Sequence, residues 1–66
     1  MTIVVNGQRH DLPDHAMLAD AIAALTPAVR GVAVALNGSV VPRGEWPRTA
    51  LADADQVEIL TAVQGG

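Results

Sequence analysis

Short apolar runs in this chain are separated by Asn-Gly, Pro and Asp-rich breaks, and the spacing inside each run predicts its element. From Met1 to Val5 the residues are apolar or β-branched and stop at Asn6-Gly7, a pair that tolerates positive φ and favours a type I′ hairpin. Gln8 to Leu12 reads as the returning strand. It is polar apart from Leu12, which suits a sheet edge where Arg9 and Asp11 discourage pairing with other chains. Pro13-Asp14 closes this hairpin. The period then changes: Leu18, Ile22 and Leu25 fall at i, i+4 and i+7 among alanines, predicting an amphipathic helix from Met17 to Leu25. Asp14 is the expected N-cap, and Thr26 ends the helix because Pro27 disfavours helical angles before it.

A second β-rich run, Val32 to Leu36, ends at another Asn-Gly pair, Asn37-Gly38, and is answered by Ser39-Val40-Val41. Pro42 to Ala54 shows little periodicity and is expected to be an ordered loop anchored by Trp46 and Leu51. Asp53-Ala54-Asp55 reads as a turn. Val57 to Val63 is the last strand, with Val57 and Ile59 on one face and Glu58 and Leu60 on the other. One helical stripe and several half-apolar strands are buried together most simply as one mixed sheet of four to five strands with the helix across one face, an α+β fold. A right-handed crossover allows the last strand to lie parallel beside the first. The expected domain is 1–66, with 63–66 as a flexible tail.

Composition narrows the function. Sixty-six residues, half of them apolar, make one small domain with little room for an internal ligand pocket. Seven acids against four basic residues, all arginine, leave a net charge of −3, which argues against nucleic acid as a partner. No apolar stretch approaches the ~20 residues of a membrane span, and the N-terminus lacks a basic run before an apolar core, so a cytoplasmic location is expected. Without cysteine the chain has no thiol, and without lysine it offers no side-chain amine to another copy.

What remains chemically addressable is the end, Val63-Gln64-Gly65-Gly66. Glycine can enter a channel too narrow for other residues and adopt whatever backbone angles it demands. The α-carboxyl, with a reference pKa of about 3.3–3.7, is ionised at neutral pH and a poor electrophile, so it must be activated before anything attacks it. A partner that spends a nucleotide to make an acyl-adenylate at Gly66 would supply that activation. The duller reading is a frayed end.

Strand order and the Gly-Gly end together resemble the ubiquitin-like β-grasp family and, within it, the bacterial ThiS sulfur carriers of thiamine biosynthesis. The resemblance covers essentially the whole chain, through Ile3-Val4-Val5-Asn6-Gly7, Val32-Ala33-Val34-Ala35-Leu36-Asn37-Gly38, Val41-Pro42-Arg43 with Trp46, and Asp55-Gln56-Val57-Glu58-Ile59 leading to Ala62-Val63-Gln64-Gly65-Gly66. It departs at Met17, where a capping threonine or serine is usual, at Ala54, where the acidic turn commonly has glycine, and at Gln64, where a small residue is common. Ala54 implies a turn that either needs no positive φ or tolerates strain.

The resemblance implies a carrier that is itself no enzyme, binds no cofactor and is a monomer when free. A ubiquitin-type activating adenylyltransferase would adenylate Gly66 with ATP, a sulfur donor fed by a cysteine desulfurase would convert the adenylate to a thiocarboxylate, and thiazole synthase would receive the sulfur. Gly65, Gln64 and Val63 would carry the end into the partners' channels. Val4 and Leu60 on the uncovered sheet face, and Trp46, are candidate partner contacts, Trp46 having loop packing as its simpler role. Alternatives are a molybdopterin-synthase small subunit, a ubiquitin-like modifier, and a non-covalent β-grasp binding module, which would not need a free Gly66. His10 and His15 flank a Pro-Asp turn without a third ligand and read as solvated loop residues rather than a metal site. Asp53 and Asp55 read as turn formers.

Overall fold

The computed structural model describes residues 1–26 and 31–61. Five strands, β1 (Thr2–Val5), β2 (Gln8–Asp11), β3 (Val32–Leu36), β4 (Ser39–Val40) and β5 (Gln56–Thr61), form one sheet in the order β2-β1-β5-β3-β4. The helix α1 (Leu18–Leu25) crosses one face, and a 3-10 helix spans Arg43–Arg48. The hairpins β1–β2 and β3–β4 are antiparallel, β5 pairs antiparallel with β3, and β1 and β5 run parallel. Both Asn-Gly pairs take the left-handed geometry expected of them, Asn6 and Asn37 at φ 49 and their glycines at φ 82 and 86.

The core lies between the sheet and α1. Ile3 and Val5 of β1, Val34 of β3, and Val57 and Ile59 of β5 point inward, meeting Leu18, Ala21 and Ile22 of the helix. Leu25 packs at the edge of this cluster. Trp46 and Leu51 close its side, buried to 6% and 7% exposure. Among the described residues no helix lies over the other face of the sheet.

Two expectations are corrected. Asp14 does not cap α1; it lies 3.2 Å from the N-terminal ammonium of Met1. The N-cap is Met17, which makes no side-chain cap hydrogen bond, and the helix start is held from inside: the Asp20 carboxylate accepts the Met17 N–H at 2.9 Å. The acid also sits in the first turn, where it meets the positive end of the helix dipole. Second, the loop from Pro42 contains the 3-10 helix Arg43–Arg48, with Thr49 Oγ1 donating to the Glu45 carbonyl at 2.7 Å at its end. Trp46 and Leu51 anchor this segment as expected. At Ala54 the second of the two expected outcomes holds: the residue adopts φ 72, so the turn requires the left-handed region and alanine bears the strain. Strand boundaries also shift: Leu12 and Val41 fall outside β2 and β4, and β5 begins at Gln56. The expected end of that strand at Val63 lies outside the described residues.

Candidate functional site

The tail, Val63-Gln64-Gly65-Gly66, lies outside the described residues, as do the expected roles placed on it. The described structure supplies its mount. β5 is central, flanked by β1 on one side and β3 on the other, and its β3 pairing runs from Leu36↔Val57 to Val32↔Thr61. On the β1 side the backbone pairing is shorter, Val4↔Gln56 and Val5↔Val57.

Asparagine side chains extend this pairing where the backbone has turned away. The Asn6 carboxamide behaves as an extra peptide unit: its Nδ2 donates to the Ile59 carbonyl at 3.1 Å and its Oδ1 accepts the Ile59 N–H at 2.8 Å. Across the strand, Asn37 Oδ1 accepts the Gln56 N–H at 2.9 Å, and its own N–H donates to the Gln56 carbonyl at 2.7 Å. Both hairpin corners therefore grip β5, one on each flank. Sequence reasoning reads these asparagines only as turn formers. The missed signal is that the same carboxamide-bearing residue opens both turns, although its target becomes visible only when β5 lies between them.

The acidic turn grips β1 in the same manner. Asp53 Oδ1 accepts the Thr2 N–H at 2.8 Å, Ala54 N–H donates to the Thr2 carbonyl at 2.7 Å, and the Asp55 carboxylate accepts Ala52 N–H at 2.8 Å and Asn37 Nδ2 at 3.0 Å. Asp53 thus uses one carboxylate oxygen, and Asp55 both, to hold the structure.

The three candidate contact residues do not form one surface. Val4 and Leu60 share the open face of the sheet, where Leu60 is 68% exposed and Val40 is 76% exposed. Cross-strand pairing sets Leu60 opposite Ala33, and Ala35 between Val40 and Glu58, giving an apolar half to this face. The β2 side is polar, with Arg9 opposite Val4 and Asp11 opposite Thr2. Trp46 instead lies on the helix side, its Nε1 donating to the Val41 carbonyl at 2.8 Å and the Arg43 guanidinium 5.8 Å from its ring centre.

His10 is half-buried on β2 and His15 exposed at φ 70. Among the described residues no three His, Cys, Asp or Glu side chains gather as a metal site, and no helix is long and apolar enough to cross a membrane.

The sequence matches the ThiS family over residues 3–66. The fold superposes on the crystal structure of a thiamine biosynthesis protein (ThiS) from Geobacter metallireducens with a TM-score of 0.84, at 30% identity and with both chains covered completely. A solution structure of a thiamine biosynthesis protein from the same organism gives a TM-score of 0.81 at 33% identity, covering 100% of this chain and 88% of that one. No curated protein matches the sequence significantly. With the β-grasp sheet in place and the match running from the first strand through the last residue, the chain belongs to the ThiS family of small sulfur carrier proteins.

Proposed function

We propose that this chain carries sulfur for thiazole formation in thiamine biosynthesis, with the carboxylate of Gly66 as the site of covalent chemistry. The observation that carries the reading is the family match through residue 66, which includes the glycine pair. In the proposed cycle an activating adenylyltransferase joins the Gly66 carboxylate to the α-phosphate of ATP and releases pyrophosphate. The adenylate gives the carboxyl carbon a leaving group, AMP, that the free carboxylate lacks. The terminal sulfur of a persulfide on a donor fed by a cysteine desulfurase displaces AMP to give an acyl disulfide. A thiol then cleaves the S–S bond, is itself oxidised to a disulfide with the donor, and leaves the thiocarboxylate, whose sulfur passes to thiazole synthase. The nucleotide belongs to the activating partner, and the carrier contributes no acid, base or metal.

Val63, Gln64 and Gly65 thread the end into each partner in turn, while the open sheet face with Val4 and Leu60 is the surface the partners grip. A face with Leu60 and Val40 largely exposed supports this assignment. The protein works in the cytoplasm as a monomer between encounters.

The test is the intact mass after incubation with ATP, the activating enzyme and a cysteine-desulfurase sulfur source. Oxidation of Met1 or Met17 adds nearly the same mass as exchanging oxygen for sulfur, so the product is also treated with a thiol-directed alkylating reagent. An ATP-dependent, alkylatable product at Gly66 is expected; the chain has no cysteine to compete for the reagent. Deleting Gly66 abolishes the product and leaves the fold intact. An unmodified carrier beside an enzyme shown to be active on another carrier would overturn the reading in favour of a non-covalent binding module.

A further inference from the structure

The two Asn-Gly corners that grip β5 are also chemically vulnerable. Glycine has no Cβ to obstruct its backbone nitrogen, which can attack the Cγ of the preceding asparagine. The N–C bond forms, ammonia leaves, and water opens the cyclic imide at either carbonyl to give an aspartyl or isoaspartyl residue. Water is the only other reactant. A Cβ placed on Gly7 or Gly38 would meet nothing within 4 Å, so both glycines lie in open space at their corners. The carboxamide must first leave its hydrogen bonds and swing over the glycine nitrogen, and the rate in the folded protein therefore follows how readily each corner opens.

The corners differ in what opening costs. Both Asn6 side-chain bonds end on the backbone of Ile59, a residue 9% exposed in the central strand, and its hairpin has four paired positions, Thr2↔Asp11 to Val5↔Gln8. Freeing Asn6 means disturbing the middle of the sheet. Asn37 is exposed, as Asn6 is, and its Oδ1 holds the Gln56 N–H only at the first residue of β5, while its Nδ2 is held by a side chain, Asp55, rather than by a strand. Its hairpin rests on two pairs, Ala35↔Val40 and Leu36↔Ser39, and the β4 arm is exposed at the sheet edge.

We propose that Asn37 is a site of spontaneous deamidation in the folded protein and that Asn6 is protected from it by the fold. The aspartyl product loses the Nδ2 donor and sets a second carboxylate against Asp55 where a 3.0 Å hydrogen bond stood. The isoaspartyl product adds a methylene to the backbone and breaks the register of the two-residue turn. Either change loosens the β3 flank of β5 near Gln56, and the inference holds whether or not the chain carries sulfur.

The experiment holds the intact protein at mildly alkaline pH, folded or in urea, and follows conversion by peptide mass. Trypsin, cutting after Arg9, Arg30 and Arg43, releases Asn6 in peptide 1–9 and Asn37 in peptide 31–43. In the folded protein Asn37 converts about tenfold faster than Asn6 or more, since fraying of an edge costs far less than opening a central strand; in urea the two rates converge. Similar rates in the folded protein, a faster Asn6, or an inert Asn37 over a period in which the unfolded chain converts would each overturn the proposal. Asn37→Asp reports the consequence: amide exchange at Gln56 accelerates several-fold while that at Ile59 does not. Unchanged exchange at Gln56 would overturn the proposed loosening, and if this variant fails to fold the rates in the unaltered protein still decide the site.

Discussion

The two faces of the sheet are built from alternate residues of the same strands, yet they are under different constraints. On β5, Val57 and Ile59 are 1% and 9% exposed beneath α1, while Leu60, the next residue, is 68% exposed on the other side. Comparable aliphatic side chains thus serve as core on one face and as free surface on the other. Burial separates them: the inner face is fixed by packing and tolerates little change, whereas the outer face retains apolar groups that packing does not require.

Substitutions can break or sharpen this contrast. Trp46→Ala removes the largest side chain that closes the inner face and orphans the Val41 carbonyl it bonds; a loss of about 3–5 kcal/mol is expected in urea unfolding, comparable with the whole stability of a domain this size. Leu18→Ala, at 0% exposure, costs about 2–5 kcal/mol by the same measurement. Ile3→Val, also at 0% exposure, trims one methylene and costs about 0.5–1.5 kcal/mol. Ala54→Gly acts outside both faces and in the opposite direction. It relieves about 1–2 kcal/mol of left-handed strain against a smaller entropic cost, for a net gain of up to about 1 kcal/mol in thermal unfolding. Leu60→Ser on the outer face changes stability by no more than about 0.5 kcal/mol but, under the proposed function, weakens binding to an activating enzyme in a titration. A Leu60 variant as damaging to the fold as Leu18→Ala would abolish the contrast.

Much of this architecture is legible in the sequence because local and global signals agree. The Asn-Gly pairs mark both hairpins, Leu18, Ile22 and Leu25 mark the helix, and the alternation of Val57, Glu58, Ile59 and Leu60 assigns the faces of β5 correctly. The helix cap is hidden because Asp20 supplies it from within, reaching back to a backbone N–H, so Met17 gives no side-chain signal. The 3-10 helix is hidden because a short run containing Gly44 and Pro47 has the composition of a loop. The left-handed Ala54 is imposed by its neighbours, since the turn must offer Asp53 and its own N–H to Thr2, and these bonds hold alanine where glycine would sit without strain. The grip of Asn6 and Asn37 on β5 depends on contacts between residues as many as 53 apart in sequence, beyond any local pattern.

Strand order also sets when this molecule can fold. β5 is the last described element to be synthesised, yet it occupies the middle of the sheet, and its contact with Asn6 closes a loop of 53 residues. Loop-closure entropy must be met before those distant contacts stabilise anything, which places completion of the sheet late. A nascent chain released before Gln56 holds two hairpins with no strand to join them and leaves its apolar surface uncovered, a ready target for proteolysis. Folding therefore acts as a length check on translation: the copies that persist are those in which the ribosome has already read through the strand that leads to Gly66.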